Sequence, residues 1–189
     1  MSRVSQAQAL ENRASAVAEA ARLFRERGVQ GVTVADVMKA IGLTPGGFYK
    51  QFGSKEALVA EATIRAFEER GAYLAGLSEA HPDATTARKA LLDEYLSPDH
   101  RDEPGTGCAA AGLASDIAKT DDDDTGRRET YAAGVREFAD WLSDTDREDG
   151  LAATATLVGA ILLARATAGT DLSEDILAAA RHSLEAQLS

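Results

Sequence analysis

The side chains of this 189-residue chain that are best suited to chemistry gather between Thr33 and Glu56, in TVADVMKAIGLTPGGFYKQFGSKE. They are the hydroxyls of Thr33 and Thr44, the consecutive glycines Gly46 and Gly47, the neighbours Tyr49 and Lys50, and Lys55. No nucleophile stands beside a base. What the group offers is hydrogen-bond donors and bare backbone, which is the chemistry of gripping a partner rather than of breaking bonds. Glycine costs about 1 kcal/mol against alanine inside a helix. A pair of glycines at a helix start is explained if the backbone must come close to something, and DNA is a natural candidate. Lys55 opens the next helix, where free backbone N–H groups also favour a phosphate.

The other reactive side chains offer less. Cys108 is the single cysteine, which excludes an internal disulfide and any multi-cysteine metal site. His81, His100 and His182 are too scattered to form a helix-borne metal pair. Asp121 to Asp124 lack the alternating ligands, central glycine and closing glutamate of a calcium loop and read as a solvated helix start. No catalytic residue, metal site or cofactor is expected. Cys108 follows Gly105-Thr106-Gly107 and is expected in the first turn of a helix, a position that can lower a thiol pKa. The competing reading is a small buried apolar residue. No Lys, Arg or His adjoins it in sequence to act as a base.

Periodicity supplies the elements that hold the first group. From Leu10 to Arg27, Val17, Ala20, Ala21 and Phe24 recur at helical spacing, with Leu23 widening the stripe, and Gly28 ends the helix. Arg13, Arg22, Arg25 and Arg27 lie among Glu11, Glu19 and Glu26 and are read mostly as a solvated face. Thr33 caps a second helix with Asp36 in its first turn, and Val34, Val37, Met38 and Ile41 form its apolar stripe. Gly42 supplies the left-handed residue of a tight turn, Leu43 plugs that turn, and Thr44 caps a third helix over Pro45 to Phe52. On it Phe48 and Phe52 face the core, while Tyr49 and Lys50 fall on the other side. The pattern is a helix-turn-helix.

Charge divides the chain in the same way. The net charge is −11, yet residues 1–56 carry eight Lys or Arg against five Asp or Glu, and residues 57–189 carry twelve against twenty-six. A mildly basic head on an acidic body engages a polyanion only through the head, and the body's repulsion helps to orient the encounter. The opening MSRVSQAQALENR has neither the apolar core nor the cleavage pattern of a signal peptide. Leu157 to Ala164, interrupted by Gly159 and closed by Arg165, falls short of the roughly 20 residues of a membrane span. A cytoplasmic protein with no membrane partner is expected.

The segments AARLFRERG, TVADVMKAIGLT and PGGFYKQFGSKEAL, spanning Ala20 to Leu58, resemble the DNA-binding domain of the tetracycline-repressor (TetR) family. The resemblance rests on several elements at matching spacing: Leu23-Phe24, Gly28, Thr33, Gly42, Phe48-Tyr49, Phe52 and Lys55-Glu56. It implies an all-α protein with a helix-turn-helix domain over residues 1–54. The rest, residues 55–189, would be a helical effector-binding and dimerisation domain. It also implies a homodimeric repressor released from a palindromic double-stranded DNA operator by a small molecule. Carried over by position, Thr33, Tyr49 and Lys55 contact phosphates, and Thr44, Gly46, Gly47 and Lys50 lie at or near base edges. Val37-Met38 departs from a frequent Ile-Ala, and Gln51 stands where histidine is common. Cys108 resembles the glycine-cysteine helix start of a subset of the family, and a thiol-based redox or electrophile sensor on the same scaffold is the alternative function.

In the body, a long fourth helix should run over Ala57 to Leu77 and another over Thr86 to Leu96, with 97–107 a loop. A helix over Thr125 to Leu142 and a final apolar pair, Leu151 to Ala168 and Ile176 to Leu188, complete the chain, with Asp171 to Glu174 as turn and cap. The effector lining is expected from Phe67, Tyr95, Cys108, Phe138 and Trp141, which suit an apolar or aromatic molecule. The homodimer interface is expected from Leu157, Ile161, Leu162, Arg165, Ile176, Leu177 and Leu184, with Arg165 either reaching solvent or pairing across it.

Overall fold

The computed structural model describes residues 6–120, 125–143 and 146–187. The acidic run Asp121–Asp124, Leu188 and the first five residues lie outside them. Among the described residues the chain is all helical, with ten α-helices.

α1 (Gln6–Arg27) starts earlier than its apolar stripe and ends where Gly28 adopts φ +72°, its N–H bonding the Phe24 carbonyl at 2.9 Å. α2 (Val34–Ala40) opens in a complete capping box. Thr33 accepts from the Asp36 N–H at 3.1 Å, and Asp36 accepts from the Thr33 N–H at 2.8 Å. α2 ends in a Schellman turn around Gly42 at φ +72°, with Leu43 N–H on Met38 O and Gly42 N–H on Lys39 O. The third helix is not the continuous element expected. Pro45–Gly47 forms a 3₁₀ turn and only Phe48–Gln51 is α-helical, here α3. Two adjacent glycines with no side chains to pack do not sustain regular helix there.

Ser54 caps α4 (Lys55–Ala80) through the Ala57 N–H, and its 26 residues run about 39 Å from head into body. α5 (Ala84–Tyr95) is capped by Asp83. The segment expected to be a loop contains a short helix, α6 (Pro98–Asp102), since Ser97 caps it and Pro98 suits its first position. α7 (Ala109–Ala118) follows with Cys108 at its N-cap rather than inside its first turn. α8 (Thr125–Leu142) and α9 (Arg147–Ala166) come next. α10 (Asp171–Gln187) starts five residues before Ile176, because Asp171 and Glu174 form its first turn, where carboxylates are favoured.

Two apolar clusters share α4 and α7. The first joins α1, α2, α3 and the leading half of α4 to Ala109, Leu113 and Ile117 of α7. The second gathers Leu74, Leu91, Tyr95, Phe138, Leu142, Leu157, Ile161 and Leu184 from the body helices. Phe67 and Tyr131 pack against both, edge to face at 5.6 Å. A Cβ on Gly134 would lie 2.1 Å from the Phe67 ring, so only glycine lets α8 approach α4 this closely.

α9 corrects one expectation. As a helix of 20 residues with a mean hydropathy of 1.4 over its best window, it is long and apolar enough to cross a membrane by length and composition. In the fold it lies between α8 and α10, with Ala153, Leu157, Ile161 and Ala164 fully buried.

Candidate DNA interface

The predicted residues lie at the start of α2, on the third helix and at the start of α4. Phe48 and Phe52 are buried and stack at 5.1 Å, anchoring the third helix to the core. Between them Tyr49 projects outward with 71% of its surface exposed, and Lys50 is exposed beside it. Tyr49 touches Phe48 only edge-on at 5.1 Å, so it is not a ring laid on the domain surface. Thr44 occupies the N-cap position, but its side chain makes no cap hydrogen bond, contrary to the cap predicted for it. Thr44 is exposed.

Gly46 and Gly47 are informative because nothing inside the chain demands them. Neither has positive φ. A Cβ on Gly46 would meet no atom within 4 Å, and one on Gly47 only the Met38 Cε at 3.9 Å. Packing and backbone strain, the two usual internal reasons for glycine, are both absent.

Thr33 and Lys55 are placed differently. Thr33 is exposed, but its hydroxyl is committed to Asp36, which accepts from it at 2.6 Å. Donation from the Thr33 hydroxyl, then from its backbone N–H, holds the Asp36 carboxyl below the usual range. Lys55 reaches back to the Val29 carbonyl, with Nζ at 2.7 Å, and so ties the start of α4 to the connector between the first two helices. Both sit at helix N-termini and hold the scaffold of the first helices together.

Sequence reasoning missed Arg13. It donates Nη1 and Nη2 to Glu61 of α4 at 2.5 and 2.6 Å, Nε to the Gln51 carbonyl at 3.4 Å, and lies 4.8 Å above the Phe52 ring. One side chain thus fastens the end of α3 to α1 and α4. Arg25 is only 8% exposed and bonds Gly105 O and Glu69, both at 2.9 Å. The solvated-face reading fails for these two, since each carboxylate partner comes from a distant helix and leaves no local mark in sequence. Arg22, between Glu19 and Glu26, fits that reading.

In the body, the five residues expected to line an effector site do not converge on one open cavity. Tyr95, Cys108 and Phe138 are buried together, Tyr95 and Phe138 with rings 6.2 Å apart. Phe67 lies toward the head against Tyr131, and Trp141 donates Nε1 to Ser78 at the mouth of a separate surface pocket. Cys108 is 1% exposed and its N–H bonds His100 Nε2 at 3.2 Å, which fits a packed residue rather than a reagent-accessible thiol.

The predicted interface also divides. Leu157, Ile161, Leu177 and Leu184 are buried within the chain and form its own core. Arg165 is half-buried and donates to the carbonyls of His100 and Arg101 at 2.9 and 3.0 Å, closing the end of α6. Leu162 is exposed and Ile176 half-buried. On α9, Leu151, Ala155, Leu162 and Leu163 are exposed, while half-buried Val158 packs against the second core cluster.

A helix-turn-helix with Tyr49 and Lys50 exposed, carried on an all-helical body, defines a DNA-binding transcriptional regulator and not an enzyme. Residues 16–62 match the model for bacterial regulatory proteins of the tetR family. Over 168 residues the chain is 32% identical to the uncharacterized HTH-type transcriptional regulator Rv0196 of Mycobacterium tuberculosis, covering 79% of this chain and 81% of that protein. A TetR-family regulator from Cytophaga hutchinsonii has the same fold, with a TM-score of 0.79 at 20% identity over 99% of this chain and 96% of that one. So does a cysteine mutant of the TetR-family regulator CifR complexed with 26-base-pair operator DNA, with a TM-score of 0.70 at 23% identity over 92% and 95% of the two chains. The chain belongs to the TetR family of bacterial transcriptional regulators.

Proposed function

We propose that this regulator is a homodimeric repressor that reads a palindromic operator in the cytoplasm and is released from it by a small molecule bound in the body. The observation that carries the DNA contact is the pair Gly46-Gly47, which no internal constraint requires, set beside exposed Tyr49 and Lys50. Removing both Cβ atoms lets the leading turn of the third helix approach the major groove, where Thr44 and Lys50 meet base edges and Tyr49 a phosphate. CifR, whose structure was determined on operator DNA, supports the docking mode by its shared fold.

Two such heads on a two-fold axis match two half-sites about one helical turn apart. The exposed apolar stripe of α9, with Leu172 and Ile176 of α10 beside it, is the surface that supports pairing with a second copy. An effector acts by binding better to the conformer whose heads are wrongly spaced. Hundredfold release needs about 2.7 kcal/mol of differential affinity.

Selection from random double-stranded oligonucleotides with the full chain tests this reading. It should enrich an inverted repeat whose bound complex contains two protomers. Enrichment of a single half-site by a monomer, or of nothing, contradicts it.

A further inference from the structure

Val29, in the connector between α1 and α2, is held by two ions from different elements. Lys55 of α4 donates Nζ to its carbonyl at 2.7 Å, and Asp116 of α7 accepts its N–H through Oδ2 at 3.1 Å. The sign of each ion suits its bond: the ammonium meets an acceptor and the carboxylate a donor. Such charge-assisted bonds are about twice as strong as neutral ones. Val29 itself is buried. Among the described residues neither Lys55 nor Asp116 enters an ion pair within 4.0 Å, so the charge of each is directed at this one residue.

Close packing puts Asp116 there. A Cβ on Gly112 would lie 2.9 Å from the Arg25 Cβ and 3.0 Å from its Cα, so a side chain at that position would push α7 away from α1. Asp116 follows four residues later on the same face of α7 and meets the chain just past the end of α1. Lys55 lines a cavity of about 280 Å³ whose walls include Asp116, Ile117 and Lys119 of α7 and Arg127 of α8. Its ammonium is thus directed at the junction between the connector and the body. Thr33, the cap of α2, stands only four residues beyond Val29, so where Val29 is held sets where the helix-turn-helix begins.

We infer that Lys55 and Asp116 are positioning residues for DNA binding. Together they seat the connector, and the helix-turn-helix that follows it, against the body, and Lys55 acts through Val29 rather than on a phosphate. This rests on the operator reading above. It gives a carboxylate of the acidic body a part in DNA binding, and it separates Lys55 from the exposed Lys50.

The test is an operator titration of the full-length protein at several salt concentrations, with Lys50→Ala as the reference for a cation lost from the reading face. Lys55→Met should weaken binding at least fivefold and leave the slope of log affinity against log salt unchanged, whereas a lost phosphate contact makes it shallower by about one. Asp116→Ala removes a negative charge, which by charge alone tightens binding to a polyanion. As a positioning change it should instead weaken binding at least threefold. Because both residues act through Val29, the double variant should lose less than the product of the two single losses. Circular dichroism checks folding, and Lys55→Gln or Asp116→Asn replaces a variant that does not fold, with effects of the same sign. A slope shallower by about one in Lys55→Met, binding by Asp116→Ala as tight as wild type or tighter, or single losses that multiply would overturn the inference. Lys50→Ala with the affinity and slope of the wild type contradicts the operator reading instead.

Discussion

The carboxylate of Asp116 in α7 accepts the backbone N–H of Val29 at 3.1 Å, while Lys55 of α4 donates to the carbonyl of the same residue at 2.7 Å. One residue of the connector between the first two helices is thereby held by the body on one side and by the linking helix on the other. The contact ties α7 of the body directly to the connector between α1 and α2. Gly28 completes it: positive φ and the Asp116 oxygen 3.4 Å from its would-be Cβ place the connector against α7.

Asp116→Ala should therefore lower stability by about 1–3 kcal/mol, since it leaves a part-buried N–H unsatisfied. Amide hydrogen exchange at Val29 should accelerate more than exchange in the core of α9. Unchanged protection of Val29 would remove this contact from the account.

Gly46→Ala and Gly47→Ala separate folding from binding. With open space for each Cβ and ordinary φ, both variants should be as stable as the wild type or more so, by up to about 1 kcal/mol. Operator affinity should fall nonetheless. A denaturation curve and a DNA titration on the same preparation check both halves.

His100 makes stability depend on pH. Its Nδ1 donates to Tyr95 O at 2.7 Å and its Nε2 accepts from the Cys108 N–H, an arrangement open only to the neutral ring. Burial, the largest influence, holds its pKa below the usual 6.5; Arg165 and Arg70 act in the same direction, while the Tyr95 carbonyl and Glu94 oppose. The unfolded chain therefore takes up the proton first. His100's contribution is complete above about 6.5 and is lost as pH falls through the lower folded value. Urea midpoints from pH 7.5 to 5.5 should decline in the wild type, and His100→Gln should flatten that slope. An equal slope in the variant contradicts this role.

The apolar stripe gives a prediction for assembly. Leu162→Glu with Leu163→Glu changes two exposed side chains and should leave the fold intact while converting a dimer to a monomer in analytical ultracentrifugation. Leu157→Ala should instead cost about 2–5 kcal/mol without selectively affecting dimerisation, since Leu157 is core.

What was legible in the sequence follows from how local each signal is. The capping box at Thr33 and Asp36, the turn at Gly42 and the alternation of Phe48, Tyr49 and Phe52 are fixed within a few residues, and these elements formed as expected apart from the 3₁₀ start of the third helix. The resemblance, resting on the same residues, pointed to the family that the comparisons show. Errors arose where a role depends on contacts distant in sequence. Arg13 meets Glu61, Arg25 meets Glu69, and Arg165 meets the end of α6. On α9, an apolar run does not reveal which leucines face inward, so Leu157 and Ile161 were placed at an interface when they fill the core.

The central claim is that the face around Tyr49 and Lys50 reads DNA. Its most direct test is a fluorescence-anisotropy titration of the selected operator with wild type and with the Tyr49→Ala, Lys50→Ala double variant, across salt concentrations. Both side chains are exposed, so the melting temperature should hold. Affinity should drop at least tenfold, and the slope of log affinity against log salt should become shallower by about one for the lost Lys50 charge. A folded double variant that binds the operator as tightly as the wild type, with the same salt slope, would contradict the account.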